Sequence, residues 1–408
     1  MMRSMFAGIS GLRSHQTMMD VVGNNIANVN TAGYKASMVT FQEALTQQLR
    51  GASGSGTDRG GINPLQIGLG TQVASIDGIF TQGASQVTGR ATDMAIQGDG
   101  FFIVSKGAEQ LYTRAGSFNF DEVGNLVSPL GLRVMGWMAD ASGAIDANAP
   151  IEELQLPLSQ VIDPQPTSTV DIGGNLSASL AVGEFSTTSI TIYDSLGEAH
   201  ELQAIFTKTA DNTWSIAAEI NGAAATLSST TITFGSDGAL TSAGSITVGG
   251  ITPPGADPLS FDLALDGTSP MVQFGGPGSA EAWAKDGNAI GFLREFGISN
   301  DGSIVGSFSN GWTKILGRVA LATFNNPAGL ERNGESVFSD SVNSGEPLVG
   351  EAGTGNRGLL AAGTLEMSNV DLAQEFTNLI IAQRGFQANS RIITASDEVL
   401  ADLVNMKR

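Results

Sequence analysis

Cysteine is absent from the 408 residues, which excludes disulfides, thiol nucleophiles and thiolate metal sites. Basic residues are scarce: 20 Lys and Arg stand against 40 Asp and Glu, for a net charge of −20. A chain of that sign lacks the basic face that a phosphate backbone requires, so no nucleic acid is expected as partner. No run of about 18 apolar residues occurs, so no membrane insertion by a helix is expected. The start MMRSMFAGISGL has neither a strongly basic segment nor a continuous apolar one, and no cleaved secretory signal is expected. Four tryptophans and three tyrosines against 53 glycines suit a β-rich chain with many turns.

Catalytic and ligand-binding patterns are also missing. His15 and His200 stand apart in the sequence, with no spacing that makes a metal site. The glycine-rich RGASGSGTDRGG follows no buried strand and has no GK[ST] ending, so it is not a phosphate cradle. The carboxylates fall in turns such as NFDEVG and SNDGS, where they solvate loops rather than form a catalytic pair. No enzyme activity, cofactor or metal is expected.

What the chain does have is a seven-residue apolar repeat at each end. Met5, Leu12, Met19 and Ile26 recur near the start, and Leu365, Leu372, Leu379, Phe386, Ile393 and Leu400 near the finish. Such a repeat gives a helix a narrow apolar seam that another helix must cover. The spacing predicts a helix over 4–28, about 37 Å long, and another over 368–406, about 58 Å long. Ser368 is the expected N-cap, with Asp371 in a short capping box; Lys407 and Arg408 would face the negative end of the helix dipole. The shorter helix covers only part of the longer one, so the remaining seam predicts contacts with further copies. Residues 1–35 carry three bases and one acid, and residues 366–408 four bases and six acids. The ends therefore cancel, and the acidic surplus lies wholly in the middle. Together with Ile9, Phe376 and Asn28, the seam residues Met5, Leu12, Met19, Ile26, Leu372, Leu379, Phe386, Ile393 and Leu400 are the candidate packing and polymerisation residues. Asn28 belongs to a cluster with Asn24, Asn25 and Asn30 that reads as a helix C-terminal turn, with inter-subunit hydrogen bonds as the further reading.

Between the ends the chain reads as strands. Residues 36–70 suggest a short amphipathic piece (Phe41, Ala44, Leu45, Leu49) and then a flexible linker or extended arm. Residues 71–145, with 286–365, read as a middle β domain, and 146–285 as an outer β domain, a barrel or a sandwich. The fold class expected is therefore α+β: long terminal helices forming a coiled-coil base, with two nested, mainly β domains inserted between them.

At this point a resemblance becomes visible. GNNIANVNTAGYK at 23–35 and SNVDLAQEFTNLIIAQRGFQANSRIITASDEVL at 368–400 are similar to the N- and C-terminal signatures of the bacterial flagellar rod and hook axial protein family. GDGFFIV, YTRAGSFNFDEVGNLVSPLGLRVMGW and NPAGLERNGESVF resemble that family's middle domain. ITIYDSLGEAHELQAIFTK at 190–208 is similar to an outer domain of the hook members, which the shorter rod proteins lack. The resemblance implies a structural subunit of the flagellar hook, a curved helical tube that joins rod to filament as a universal joint and serves as an export channel. It implies self-assembly, with flagellar rod and hook–filament junction proteins, the hook cap and the type III export apparatus as partners. It implies an extracellular place in the flagellum, reached without a cleaved signal peptide. The alternatives are a distal rod or hook-associated subunit and, from another class, a β-rich adhesin or fibre protein.

Overall fold

Two helices bracket the chain, α1 over Met2–Ala27 and α2 over Leu372–Met406. They belong to a computed structural model that describes residues 2–54, 60–140, 143–156, 161–267, 269–284 and 286–406. Lys407 and Arg408, expected at the end of α2, lie outside the described residues, as does part of the glycine-rich stretch. α1 ends at Ala27, and six residues on Gly33, at φ +69°, supplies a left-handed turn that a side chain would strain. A Cβ there would also lie 2.4 Å from the Ala115 backbone nitrogen. α2 starts later than expected. Asp371, not Ser368, is its cap, with Oδ1 accepting from the amides of Ala373 (2.8 Å) and Gln374 (3.2 Å). A carboxylate there also answers the positive helix end. No helix among the described residues is long and apolar enough to cross a membrane.

The chain divides into two compact units: Met1–Pro157 with Phe296–Val305 and Ile315–Arg408, and Leu158–Glu295 with Gly306–Lys314. The second unit therefore runs from Leu158 to Glu295 rather than from 146 to 285. The strand Glu152–Glu153 explains the shift, because it pairs with Arg133–Met138 of the first unit. The expected helical base and middle β domain also fall in one unit, for reasons given below.

In the first unit, the buried run Phe101–Lys106 pairs with Glu109–Thr113 on one side and Arg133–Met138 on the other. Phe101, Ile103, Tyr112, Trp137, Phe324 and Phe338 form its core, with several of the rings edge to face. The segment 36–70 departs from expectation. The expected short amphipathic piece is strand instead, and part of the stretch expected as a linker or extended arm, residues 55–59, lies outside the described residues. Ser37–Glu43 pairs antiparallel with Thr71–Gly78, and Thr46–Arg50 with Leu65–Gly68. SMVTFQE has no clean alternation, and the helical spacing of Phe41, Leu45 and Leu49 points to an amphipathic helix instead.

The second unit is a sandwich. One sheet carries Phe185–Tyr193, Ala199–Ala210 and Thr213–Ile220; the other is built on Thr169–Asn175, Ser245–Ile251 and Leu259–Ala264. Both contribute to one core, with Phe206, Trp214 and Ile216 from the first and Ile172, Phe261 and Leu263 from the second. Along Ala199–Ala210, alternate residues His200, Leu202, Ala204, Phe206 and Lys208 are the buried ones. The polar residues at the two ends of this row are satisfied: Lys208 Nζ donates to the carbonyls of Ala178 and Leu180.

Candidate assembly surface

The helix pair defines the surface that matters. α1 and α2 run antiparallel, and their contact is made by small residues. A Cβ on Gly8 would lie 3.4 Å from Ile393, one on Gly11 2.6 Å from Asn389 Nδ2, and one on Gly385 2.5 Å from the His15 ring. Ala382 and Ser396 of α2 are also buried, at helical spacing from Gly385, Asn389 and Ile393. Glycine weakens a helix in isolation by about 1 kcal/mol relative to alanine. Here the missing side chain lets two backbones approach.

The large apolar residues are therefore displaced from the intramolecular contact. Leu372, Phe376 and Phe386 are 40%, 51% and 36% exposed. Met5, Leu12, Met19 and Ile26 of α1, and Leu379, Ile393 and Leu400 of α2, are half-buried at its margins, as is Asn28. Ile9 is exposed, and beside the predicted residues Phe6, Ile380, Ile381, Ile392 and Val399 are exposed too. Sequence reasoning missed these five because they fall outside a strict seven-residue register. A broader stripe, at positions three and four apart, contains them. Exposed apolar area of this extent along paired helices marks an interaction surface rather than scattered surface residues.

The asparagine cluster divides its labour. Asn25 is fully buried; its Nδ2 donates to Ser37 O (2.8 Å), and its Oδ1 accepts from Ser37 N (3.0 Å) and the Tyr34 hydroxyl (3.1 Å). Asn28 instead reaches back along the helix, Nδ2 donating to Asn24 Oδ1 at 2.8 Å, while its Oδ1 accepts from Thr31 Oγ1 at 3.1 Å.

The chain leaving α1 is locked to the chain entering α2. Gly33 N–H donates to Glu366 O (2.8 Å), and Ala36 N–H to Asn369 Oδ1 (2.8 Å). Beneath them lies an ion triad that is closed to solvent. Glu366 Oε1 accepts from Lys35 Nζ (2.6 Å) and Gly83 N–H (2.9 Å), and Oε2 from Arg114 Nη1 (3.3 Å). Lys35 also donates to Thr81 O (2.7 Å) and Arg114 to Gly98 O (2.8 Å). Burial pushes the Lys35 and Arg114 pKa values down, and the Glu366 carboxylate opposes that shift in both. These contacts bind the helix ends to the β structure, so helices and middle strands form one unit.

One histidine cluster has the composition of a metal site: Asp194, Glu198 and His200. Its hydrogen bonds assign it otherwise. Glu201 N–H donates to Asn221 Oδ1 at 2.9 Å, which fixes the amide, so Asn221 Nδ2 donates to His200 Nδ1 at 2.8 Å. The ring proton then sits on Nε2 and is donated to Asp194 Oδ2 at 3.0 Å. No nitrogen lone pair faces the carboxylates, as ligation requires.

Asp194 and Asp286 report on acid stability in this second unit. Burial pushes the Asp194 pKa up, but the His200 ring and the amides of Glu198 and Leu196 outweigh it, and the net shift is downward. Burial likewise raises Asp286, and the Ser168 hydroxyl with the amides of Thr169 and Ser168 brings it below the ordinary value. A depressed carboxylate contributes stability that is complete above its unfolded pKa of about 3.9 and is lost as pH falls through the folded value. The full-length chain is therefore expected to lose hydrogen-exchange protection in this unit below about pH 4. Asp286→Asn should flatten that acid dependence; an unchanged acid profile in the variant would contradict the assignment.

Comparison with known proteins gives these features a family. Residues 5–35 match the model described as flagella basal body rod protein, and residues 361–406 the flagellar basal body rod FlgEFG protein C-terminal model. Residues 95–192 match the flagellar hook protein FlgE/F/G D1 domain, and 178–288 the flagellar basal body protein FlaE D2 domain. Paired terminal helices around inserted β structure thus define an axial protein of the bacterial flagellum. Flagellar hook protein FlgE of Borreliella burgdorferi is 40% identical over all of both chains, and that of Treponema pallidum 39% identical, also over all of both. The chain belongs to the flagellar hook protein family. A crystal structure of Helicobacter pylori flagellar hook protein FlgE2 shares the fold at a TM-score of 0.56, with 16% identity, over 69% of this chain and all of that one.

Proposed function

We propose that this chain is a structural subunit of the flagellar hook, polymerising with copies of itself into a curved tube. The observation that carries the reading is the uncovered apolar face of the paired helices, with Phe376, Ile380 and Ile381 each more than half exposed. An identical surface on every copy, covered by a different surface of the next, propagates an open helix rather than a closed ring. In this reading the terminal helices form a coiled-coil inner tube with a lumen for export, and the β structure lies outside it. Curvature and rotation require subunits on the two sides of the bend to differ in spacing. Outer contacts that switch between near-equal packings would supply that difference, and the tube would act as the universal joint between rod and filament. The rod, the hook–filament junction proteins, the cap and the type III export apparatus are the proposed partners, and the flagellar hook outside the cell is the proposed location.

Electron microscopy of the purified chain, concentrated or salted out, tests the reading directly. Curved tubes are expected. A companion measurement concerns the ends. In dilute monomer, residues 1–30 and 370–408 should open and exchange amide hydrogens faster than the β cores, because their apolar seams lack partners. In tubes the same amides should be protected. Chains that stay dispersed at all concentrations, with ends equally protected throughout, would overturn the proposal.

A further inference from the structure

We infer that a cavity beside the end of α1 receives a carboxylate-bearing surface segment of a second copy of this chain, an inference that rests on the polymeric reading above. The cavity has a volume of about 640 Å³ and is walled by Asn24, Asn28 and Thr31, by Leu130, and by Arg332 and Phe338. All of these belong to the first unit. Asn24 and Asn28 come from the asparagine cluster whose buried member, Asn25, is already committed to Tyr34 and Ser37. Their side chains give the cavity a polar wall, and Leu130, 45% exposed on its turn, gives it an apolar one.

Charge identifies the occupant. The Arg332 guanidinium lies over the Tyr34 ring at 5.6 Å and over Phe338 at 5.7 Å. It donates from Nη2 to Lys35 O at 2.7 Å. Among the described residues it makes no ion pair, although Glu335 also lines the cavity. A guanidinium carries five N–H donors in a fixed plane, and stacking between rings orders that plane before any partner arrives. Immediately behind it, Lys35 and Arg114 share the single carboxylate of Glu366. Arg332, Lys35 and Arg114 against Glu366 and Glu335 leave one surplus positive charge about the cavity, in a chain of net charge −20. Any second copy brings an acidic exterior to this place, and a carboxylate is the group that a stacked arginine binds in a paired geometry. A cavity on one copy filled by a different surface of the next is also a heterologous contact, the kind that extends a helix.

The test holds apolar loss constant and varies the charge. Leu130→Asp and Leu130→Lys remove the same exposed side chain, and both monomers should melt as the unaltered chain does. Leu130→Asp is expected to raise the threshold concentration for tube formation by about tenfold, which corresponds to about 1.4 kcal/mol per contact. Leu130→Lys should leave the threshold close to that of the unaltered chain. Because the chain has no cysteine, Leu130→Cys can carry a single thiol-linked benzophenone. Irradiated tubes should give adducts between copies, mapping to peptides that contain Asp or Glu. Equal effects of the two charges, or adducts confined to the labelled chain itself, would overturn the docking inference while tubes still form. Failure of the unaltered chain to form tubes would instead overturn the polymeric reading.

Discussion

Replacing Glu366 by glutamine is expected to lower the stability of the first unit by about 3–5 kcal/mol, the cost of removing one partner from a buried ion cluster. The side chain keeps its shape and loses its charge. Lys35 and Arg114, whose side chains are 0% and 3% exposed, are then left beside each other without a counter-ion. For a unit of this size, each kcal/mol moves the midpoint by roughly 2–4 °C, so the melting transition should fall by on the order of 10 °C. The dependence on pH has a definite sign. Burial depresses the Lys35 pKa below its usual value, so between the folded and unfolded values the unfolded chain binds more protons, and stability rises with pH. The Glu366→Gln deficit should therefore be greatest around neutral pH, where Glu366 carries its charge, and shrink as rising pH lets Lys35 lose its proton in the folded chain. Replacing Lys35, Arg114 and Glu366 together by methionine removes every charge and should recover most of the loss. Calorimetry of the two variants checks both statements. A Glu366→Gln variant as stable as the unaltered chain would show that the triad carries little.

The second large effect is on assembly rather than on folding. Phe376→Asp lies on the outer face of α2, at 51% exposure, so the monomer should melt within about 0.5 kcal/mol of the unaltered chain. In the proposed tube the same position would be covered in every copy. Losing a covered phenylalanine forfeits about 1.5–3 kcal/mol per subunit, before the added cost of burying a carboxylate. At 1.4 kcal/mol per tenfold, the concentration needed for tubes should rise by about 10- to 100-fold or more. Gly11→Leu is the control on the opposite face. Its Cβ would stand 2.6 Å from Asn389 Nδ2, so it should damage the helix pair in the monomer itself. Sedimentation across a concentration series separates the two variants. Phe376→Asp tubes forming at the ordinary threshold would remove the outer face from the assembly surface.

These two cases also mark how far the residues could be read without coordinates. The terminal helices were legible because the apolar repeat is long, and the sandwich strands were legible because His200, Leu202, Ala204, Phe206 and Lys208 alternate inward. Which helix face meets which was not legible. Hydropathy ranks Phe376 and Leu372 as the residues to bury, whereas Gly11, Ala382 and Gly385 win the close contact because they are small. Gly8, Gly11 and Gly23 do read as weak helix formers that mark crowded contacts; Gly8 and Gly11 lie at one, whereas a Cβ on Gly23 meets nothing within 4 Å. The triad had no local signal at all, since Lys35 and Glu366 are 331 residues apart in sequence. Pairing of Ser37–Glu43 with Thr71–Gly78 was hidden in the same way, by a partner across a glycine-rich loop.

That separation has a consequence for chains that are cut short. A fragment ending between residues 114 and 366 contains both cations and lacks the one anion they share among the described residues, so the segment after α1 has no low-energy way to leave water. Incomplete copies are expected to stay open beyond the end of α1, where a protease can find them, so that the proposed polymer would be spared a defective building block without any separate inspection step.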